Sequence, residues 1–172
     1  MTHRLSCVLA AALLTVLPNT AHAGEVFGGL YVHDVKTPLN LSGIESGADV
    51  QLGWRGGRIG KSRFQPYVFG ALNTAGETSY AAAGISAMFG DRIFIRPGLG
   101  LAIHNGSTDD FMRTDRIAFG SRILFEPELG IGARIGNRAT IEASWVHMSH
   151  ATLFSGQNPG IDNLGVRLSF GL

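Results

Sequence analysis

The strongest signal along the chain is a period of two. Ala48, Val50, Leu52 and Trp54 alternate with Asp49, Gln51, Gly53 and Arg55, so an extended segment would carry apolar residues on one face and polar or small ones on the other. The alternation returns at Ile93, Ile95, Pro97, Leu99, Leu101 and Ile103, set against Arg92, Arg96, Gly98 and Gly100. It runs furthest from Ile117 through Phe119, Ile123, Phe125, Leu129 and Ile131 to Ile135, with Arg116, Arg122, Glu126, Glu128 and Arg134 in the other phase. This predicts one long strand. Weaker versions at 25–34, 62–73 and 78–89, and two more at 138–149 and 162–172, bring the expected number to eight strands.

The connections alternate in length. Gly90-Asp91 and Gly136-Asn137 suit tight turns, whereas 35–45, 105–115 and 150–161 are long, as in an up-and-down barrel with short periplasmic turns and longer loops outside the cell. No segment beyond residue 23 is long and apolar enough to span a bilayer as a helix, and closed β-structure is the other arrangement that satisfies every backbone group in lipid. The expected fold is all-β: an eight-stranded antiparallel up-and-down transmembrane β-barrel. The competing architecture is a soluble exported barrel or sandwich with its apolar face inward. Against it stands the polar phase, whose Gly, Ser, Ala and charged residues suit a narrow, side-chain-filled lumen. The arginines and glutamates of that phase are expected to pair there, since buried charges persist when paired. The alternating final strand, Leu164, Val166, Leu168, Phe170 and Leu172, also fits outer-membrane insertion.

Composition narrows the picture further. His3 and Arg4 precede an apolar run from Leu5 to Leu17, and Ala21-His22-Ala23 follows; the run is shorter than the ~20 residues of a spanning helix. Residues 1–23 therefore read as a cleaved signal peptide and 24–172 as the barrel. The single cysteine, Cys7, lies in that leader, so disulfides and thiol catalysis are excluded from the mature chain. A net charge of +1 without Lys/Arg runs removes nucleic acid as a partner. His33, His104, His147 and His150 come from separate segments without metal-ligand spacing, so no metal site is expected. There is no Gly-x-Ser-x-Gly elbow.

Candidate chemistry sits in the seventh strand. Ile141, Ala143 and Trp145 set a lipid-facing phase whose next members are His147 and Ser149. Residues at i and i+2 share a face with Cα atoms ~7 Å apart, within reach of an imidazole–hydroxyl hydrogen bond. Following the final strand backwards in phase from Leu172 reaches Asp162, beside His147 in an antiparallel pair. Serine is a weak nucleophile until a histidine takes its proton, and a carboxylate fixes that imidazole's tautomer. The set lies at the extracellular end of the wall, level with the lipopolysaccharide leaflet, which favours a lipid esterase over a hydrolase of soluble esters. The bland alternative is that histidine and serine are ordinary interface residues of a non-enzymatic barrel.

These residues resemble a known family. His147-Met148-Ser149-His150-Ala151, followed by Asn158-Pro159-Gly160-Ile161-Asp162-Asn163, looks like the PagL-type lipid A 3-O-deacylases. Asn73-Thr74-Ala75-Gly76-Glu77-Thr78, Gly98-Leu99-Gly100-Leu101-Ala102 with His104, and Gly120-Ser121-Arg122-Ile123-Leu124-Phe125 resemble stretches found there in the same order. The resemblance implies an outer-membrane enzyme that hydrolyses the ester at the 3-position of lipid A, with His147 as base, Ser149 as nucleophile and Asp162 where the family's best-known form has Glu. It further implies Asn158 and the Thr152 position, where the family has Gly, as oxyanion donors; His150 stands where the family commonly has Asn. No cofactor is expected, lipid A is the expected partner, and a monomer is favoured. A non-enzymatic adhesion or membrane-stability barrel and an outer-membrane phospholipase remain as alternatives, although the minimal loop at 74–77 argues against adhesion.

Overall fold

A computed structural model describes residues 24–38, 40, 43–109, 114–154, 156 and 158–172; the expected leader, 1–23, lies outside the described residues. Eight antiparallel strands close on themselves: β1 Glu25–Val32, β2 Ala48–Arg55, β3 Phe64–Asn73, β4 Tyr80–Ala87, β5 Ile93–His104, β6 Ile123–Ile135, β7 Ala139–Met148 and β8 Ile161–Gly171. Each pairs with its neighbours in sequence, and β1 pairs with β8 from Glu25↔Gly171 to Val32↔Leu164 to seal the wall. Phe89–Gly90 extends β4 in unchanged register (Ser86↔Gly98, then Phe89↔Ile95). The interruption falls opposite Pro97, which has no N–H to donate to the ladder.

The wall follows the period of two. Leu52 and Ile93 are 72% and 73% exposed, and similar residues on every long strand form an outward apolar belt. In water that area would be a liability; in a bilayer it is the solvated surface. The opposite phase is buried. It holds aromatic side chains, with Phe69 against Phe27, Tyr67 and Tyr80 at centroid distances of 6.2, 6.0 and 5.9 Å. The charges sit beside them. Arg167 pairs with Glu128 at 2.7 Å, Arg55 reaches Glu128 at 3.5 Å and also binds Glu25, and Arg96 joins Glu25 to Glu142. The lumen is a packed polar network.

Two expectations are corrected. The long strand from Ile117 to Ile135 begins only at Ile123. Ile117 and Phe119, read as lipid-facing, are 0% and 1% exposed, because the chain folds back across the barrel mouth before entering the wall. Phe119 N donates to Ser107 O at 3.0 Å, its ring packs on His104, and Gly120 takes φ +71 to redirect the chain. Nor do all the inward-phase arginines join the network. Arg92 is exposed at a turn, Arg116 pairs with Asp115 on the surface, Arg122 donates to the carbonyls of His104 and Gly106, and Arg134 lies by Asp91 at the short-turn end.

The long loops are tied together over the mouth. His33 Nδ1 meets Asp49 at 2.9 Å and Nε2 meets Glu45 at 3.1 Å, while Glu45 accepts hydrogen bonds from Thr78 N, Thr78 Oγ1 and Ile117 N. Burial alone would pull the His33 pKa down, but the hydrogen bonds and charges of Asp49 and Glu45 push it up to about 9 from 6.5. A folded value above the ordinary one means that the protonated ring stabilises the cap fully below pH 6.5. That contribution, about 3 kcal/mol, is lost as pH rises through about 9. The temperature at which the folded barrel loses its compact gel migration is therefore expected to drop over this window, and His33→Gln to flatten the drop. An equally steep drop in His33→Gln would assign the effect elsewhere.

Candidate active site

β7 and β8 build the site at the long-loop end of the wall. Their register sets His147 directly opposite Asp162, and Ser149 lies one residue beyond the end of β7. Ser149 nevertheless stays in the sheet, because it exchanges two main-chain hydrogen bonds with Phe125 of β6, at 2.7 and 3.1 Å. A residue that would otherwise begin a loop is thus held at strand geometry, and its side chain falls on the same face as that of His147.

The three side chains make a continuous chain. His147 Nδ1 is 2.6 Å from Asp162 Oδ1, and His147 Nε2 is 3.0 Å from Ser149 Oγ. Facing an ionised carboxylate, which only accepts, Nδ1 carries the ring proton, and Nε2 is left to accept from the Ser149 hydroxyl. The imidazole is 12% exposed and the carboxylate fully buried. Chemically, this arrangement can draw a proton from a hydroxyl and stabilise the resulting imidazolium. Gly160, at φ +62, packs behind it. A Cβ there would lie 3.2 Å from His147 Cε1 and 3.3 Å from Met148 O, a tight fit at a left-handed φ that favours glycine.

The other candidates named from the sequence fall differently. Asn158 comes to the main chain just past the serine, where its Oδ1 accepts the His150 N–H at 2.9 Å. That hydrogen bond fixes the side-chain amide, and its NH₂ has no partner among the described residues. Thr152 lies on the exposed turn beyond His150, with its hydroxyl donating to Ala151 O. Ala151 and Thr152 both adopt left-handed φ, 52° and 58°. At Thr152 this costs of order 1–2 kcal/mol that glycine would avoid. The other histidines take separate partners: His33 in the cap, His104 on Ser121 O, and His150 under the loop that carries Asn158.

Two contributors escaped the sequence reading. Trp145 Nε1 donates to Asp162 Oδ1 at 3.0 Å, and the Thr37 hydroxyl donates to Asp162 Oδ2. Trp145 was read as a lipid-facing member of the same phase as His147; its indole N–H, which usually finds a partner when buried, was the available signal. Nothing in the local sequence marked Thr37.

Comparisons with known proteins bear on the family and the fold. The family model described as "Lipid A 3-O-deacylase (PagL)" matches residues 41–171. Among solved structures, the outer membrane enzyme PagL superimposes with a TM-score of 0.59 at 21% identity, covering 86% of this chain and 99% of that one. Neisserial surface protein A gives 0.54 at 14% identity, with 87% and 97% covered. At these identities the superpositions speak for the fold of an outer-membrane barrel. No curated protein sequence matched. The family match takes in every strand from β2 to β8, together with His147, Ser149 and Asp162, and the chain belongs to the PagL lipid A 3-O-deacylase family of the outer membrane.

Proposed function

We propose that this protein is a lipid A 3-O-deacylase that works as a serine esterase, with Ser149 as nucleophile, His147 as general base and acid, and Asp162 as the carboxylate partner. The observation that carries the reading is the unbroken hydrogen-bond chain Asp162–His147–Ser149 on the outward face of the wall. Family membership supplies the substrate class, and the position beside the long loops supports access from the outer leaflet.

In this mechanism Ser149 Oγ attacks the ester carbonyl carbon as His147 Nε2 takes its proton. The tetrahedral intermediate collapses, the bond between the acyl carbon and the sugar 3-oxygen breaks, and His147 gives its proton to that departing oxygen, leaving a free 3-hydroxyl. Water, deprotonated by the same imidazole, then attacks the acyl-enzyme; the bond from the acyl carbon to Ser149 Oγ breaks, His147 returns the proton to Oγ, and a 3-hydroxy fatty acid leaves. The side-chain NH₂ of Asn158, oriented by the hydrogen bond its Oδ1 accepts from His150 N, is the donor we assign to the oxyanion. One such donor is worth ~3 kcal/mol in transition-state stabilisation.

The folded barrel in detergent, offered lipid A and a diacyl phospholipid separately, tests this reading. Release of free 3-hydroxy fatty acid from lipid A alone is the expected result. Fatty acid released from the phospholipid instead would make the protein a phospholipase, and release from neither would return it to the non-enzymatic barrels.

A further inference from the structure

The buried carboxylate of Asp162 is held by more than its histidine. Trp145 Nε1 donates to Oδ1 at 3.0 Å, the oxygen that also faces His147, and the Thr37 hydroxyl donates to Oδ2. The main chain of Asp162 is fixed too, since its carbonyl accepts Val35 N at 2.7 Å. Thr37 and Val35 both come from the β1–β2 loop, and Thr37 is 125 residues away in sequence from the carboxylate it touches.

That loop is built to present the hydroxyl. Asp34 Oδ2 accepts the main-chain N–H of Ile44 at 2.6 Å and of Glu45 at 2.9 Å, and its Oδ1 accepts Asn40 Nδ2 at 3.2 Å. Thr37 and Asn40 exchange main-chain hydrogen bonds at 2.8 and 3.2 Å. Asp34 N binds Asn163 Oδ1 at 3.0 Å, which ties the loop to β8 at the residue next to Asp162. A carboxylate with a donor on one oxygen alone can still turn about its Cβ–Cγ bond. Donors on both oxygens fix its plane, and an aspartate, one methylene shorter than glutamate, has less slack with which to meet the imidazole. An orienting shell of this kind matters because misplacement of reacting groups by ~1 Å can cost ~100-fold in rate.

Building on the catalytic reading above, we propose that Thr37 and Trp145 are positioning residues for the reaction: a two-donor clamp, half of it supplied by the β1–β2 loop, that orients Asp162 and through it His147. Neither residue takes part in bond making. Their effect belongs in turnover and leaves lipid A binding unchanged.

The experiment uses the whole barrel folded in detergent with lipid A as substrate, each variant's compact gel migration showing that it has folded. Thr37→Val is expected to lower kcat ~10-fold with KM within about twofold. Thr37→Ser, which keeps the hydroxyl, is expected to restore most of the loss, and Trp145→Phe to lower kcat less, since His147 still holds Oδ1. A wild-type kcat in Thr37→Val, or a loss confined to KM, would overturn the clamp. Should Thr37→Val not fold, Trp145→Phe decides by the same split, an unchanged kcat overturning the proposal. Asp162→Asn, measured alongside, separates the two claims. If it is inactive while Thr37→Val is normal, only the clamp fails; if it stays active, the catalytic reading fails first.

Discussion

Asp162→Asn is expected to lower kcat by ~10⁴-fold while the barrel folds as before. The substitution is nearly isosteric, and the fully buried side chain keeps its neighbours in place. What changes is the proton. The Thr37 hydroxyl donates to one oxygen of this carboxylate and the Trp145 indole to the other, so an asparagine NH₂ either faces Thr37, whose hydroxyl must then turn to accept, or faces Trp145 and His147. If its NH₂ faces His147, it donates to Nδ1, the ring proton moves to Nε2, and the atom 3.0 Å from Ser149 Oγ can no longer accept. Initial rates of 3-hydroxy fatty acid release measure the effect. A loss below ~10-fold would mean that His147 does not depend on this carboxylate.

Arg167→Leu is expected to cost about 3–5 kcal/mol of barrel stability without touching the site. The guanidinium is 1% exposed and packs over the Phe27 ring at 4.8 Å, with Nε donating to Gln51 Oε1 at 3.0 Å and Nη2 to Glu128 Oε2 at 2.7 Å. Without it, Glu128 keeps only the longer Arg55 contact of 3.5 Å, while Gln51 and Tyr31 each lose a charged donor. The cost is thus mainly that of an underpaired buried charge. A double variant with Glu128→Gln is accordingly expected to recover a large part of it. Urea unfolding in detergent, followed by tryptophan fluorescence, reads both. A single variant as stable as wild type would show instead that the network tolerates an underpaired glutamate.

The wall was legible in the sequence because lipid and lumen impose opposite demands on successive residues. Val50 and Leu52 against Asp49 and Gln51 carry that contrast without help from anything distant. Where the chain leaves the wall, the same signal misleads. Ile117 and Phe119 keep the apolar phase of the strand that follows, yet they bury inward against the mouth, where Glu45 takes the Ile117 N–H. Period two cannot distinguish a lipid-facing face from a loop folded over the lumen.

The site was legible to the same depth. His147 and Ser149 stood out as polar members of an apolar phase, and counting back along β8 placed Asp162 opposite His147, as the register has it. Its burial was not legible, because the cover comes from Thr37 and Val35 in a loop at the other end of the chain. Asn158 was read as an amide donor. Its bond to His150 N, which leaves the NH₂ for that role, required coordinates.

The most direct test of the central claim is the mass spectrum of lipid A from cells expressing the wild type or Ser149→Ala at matched levels of folded barrel in the outer membrane. Loss of one 3-hydroxyacyl mass with the wild type, and intact lipid A with Ser149→Ala, is the expected result. Lipid A shortened equally by both would contradict Ser149 as the nucleophile, and lipid A left intact by both would contradict deacylation itself.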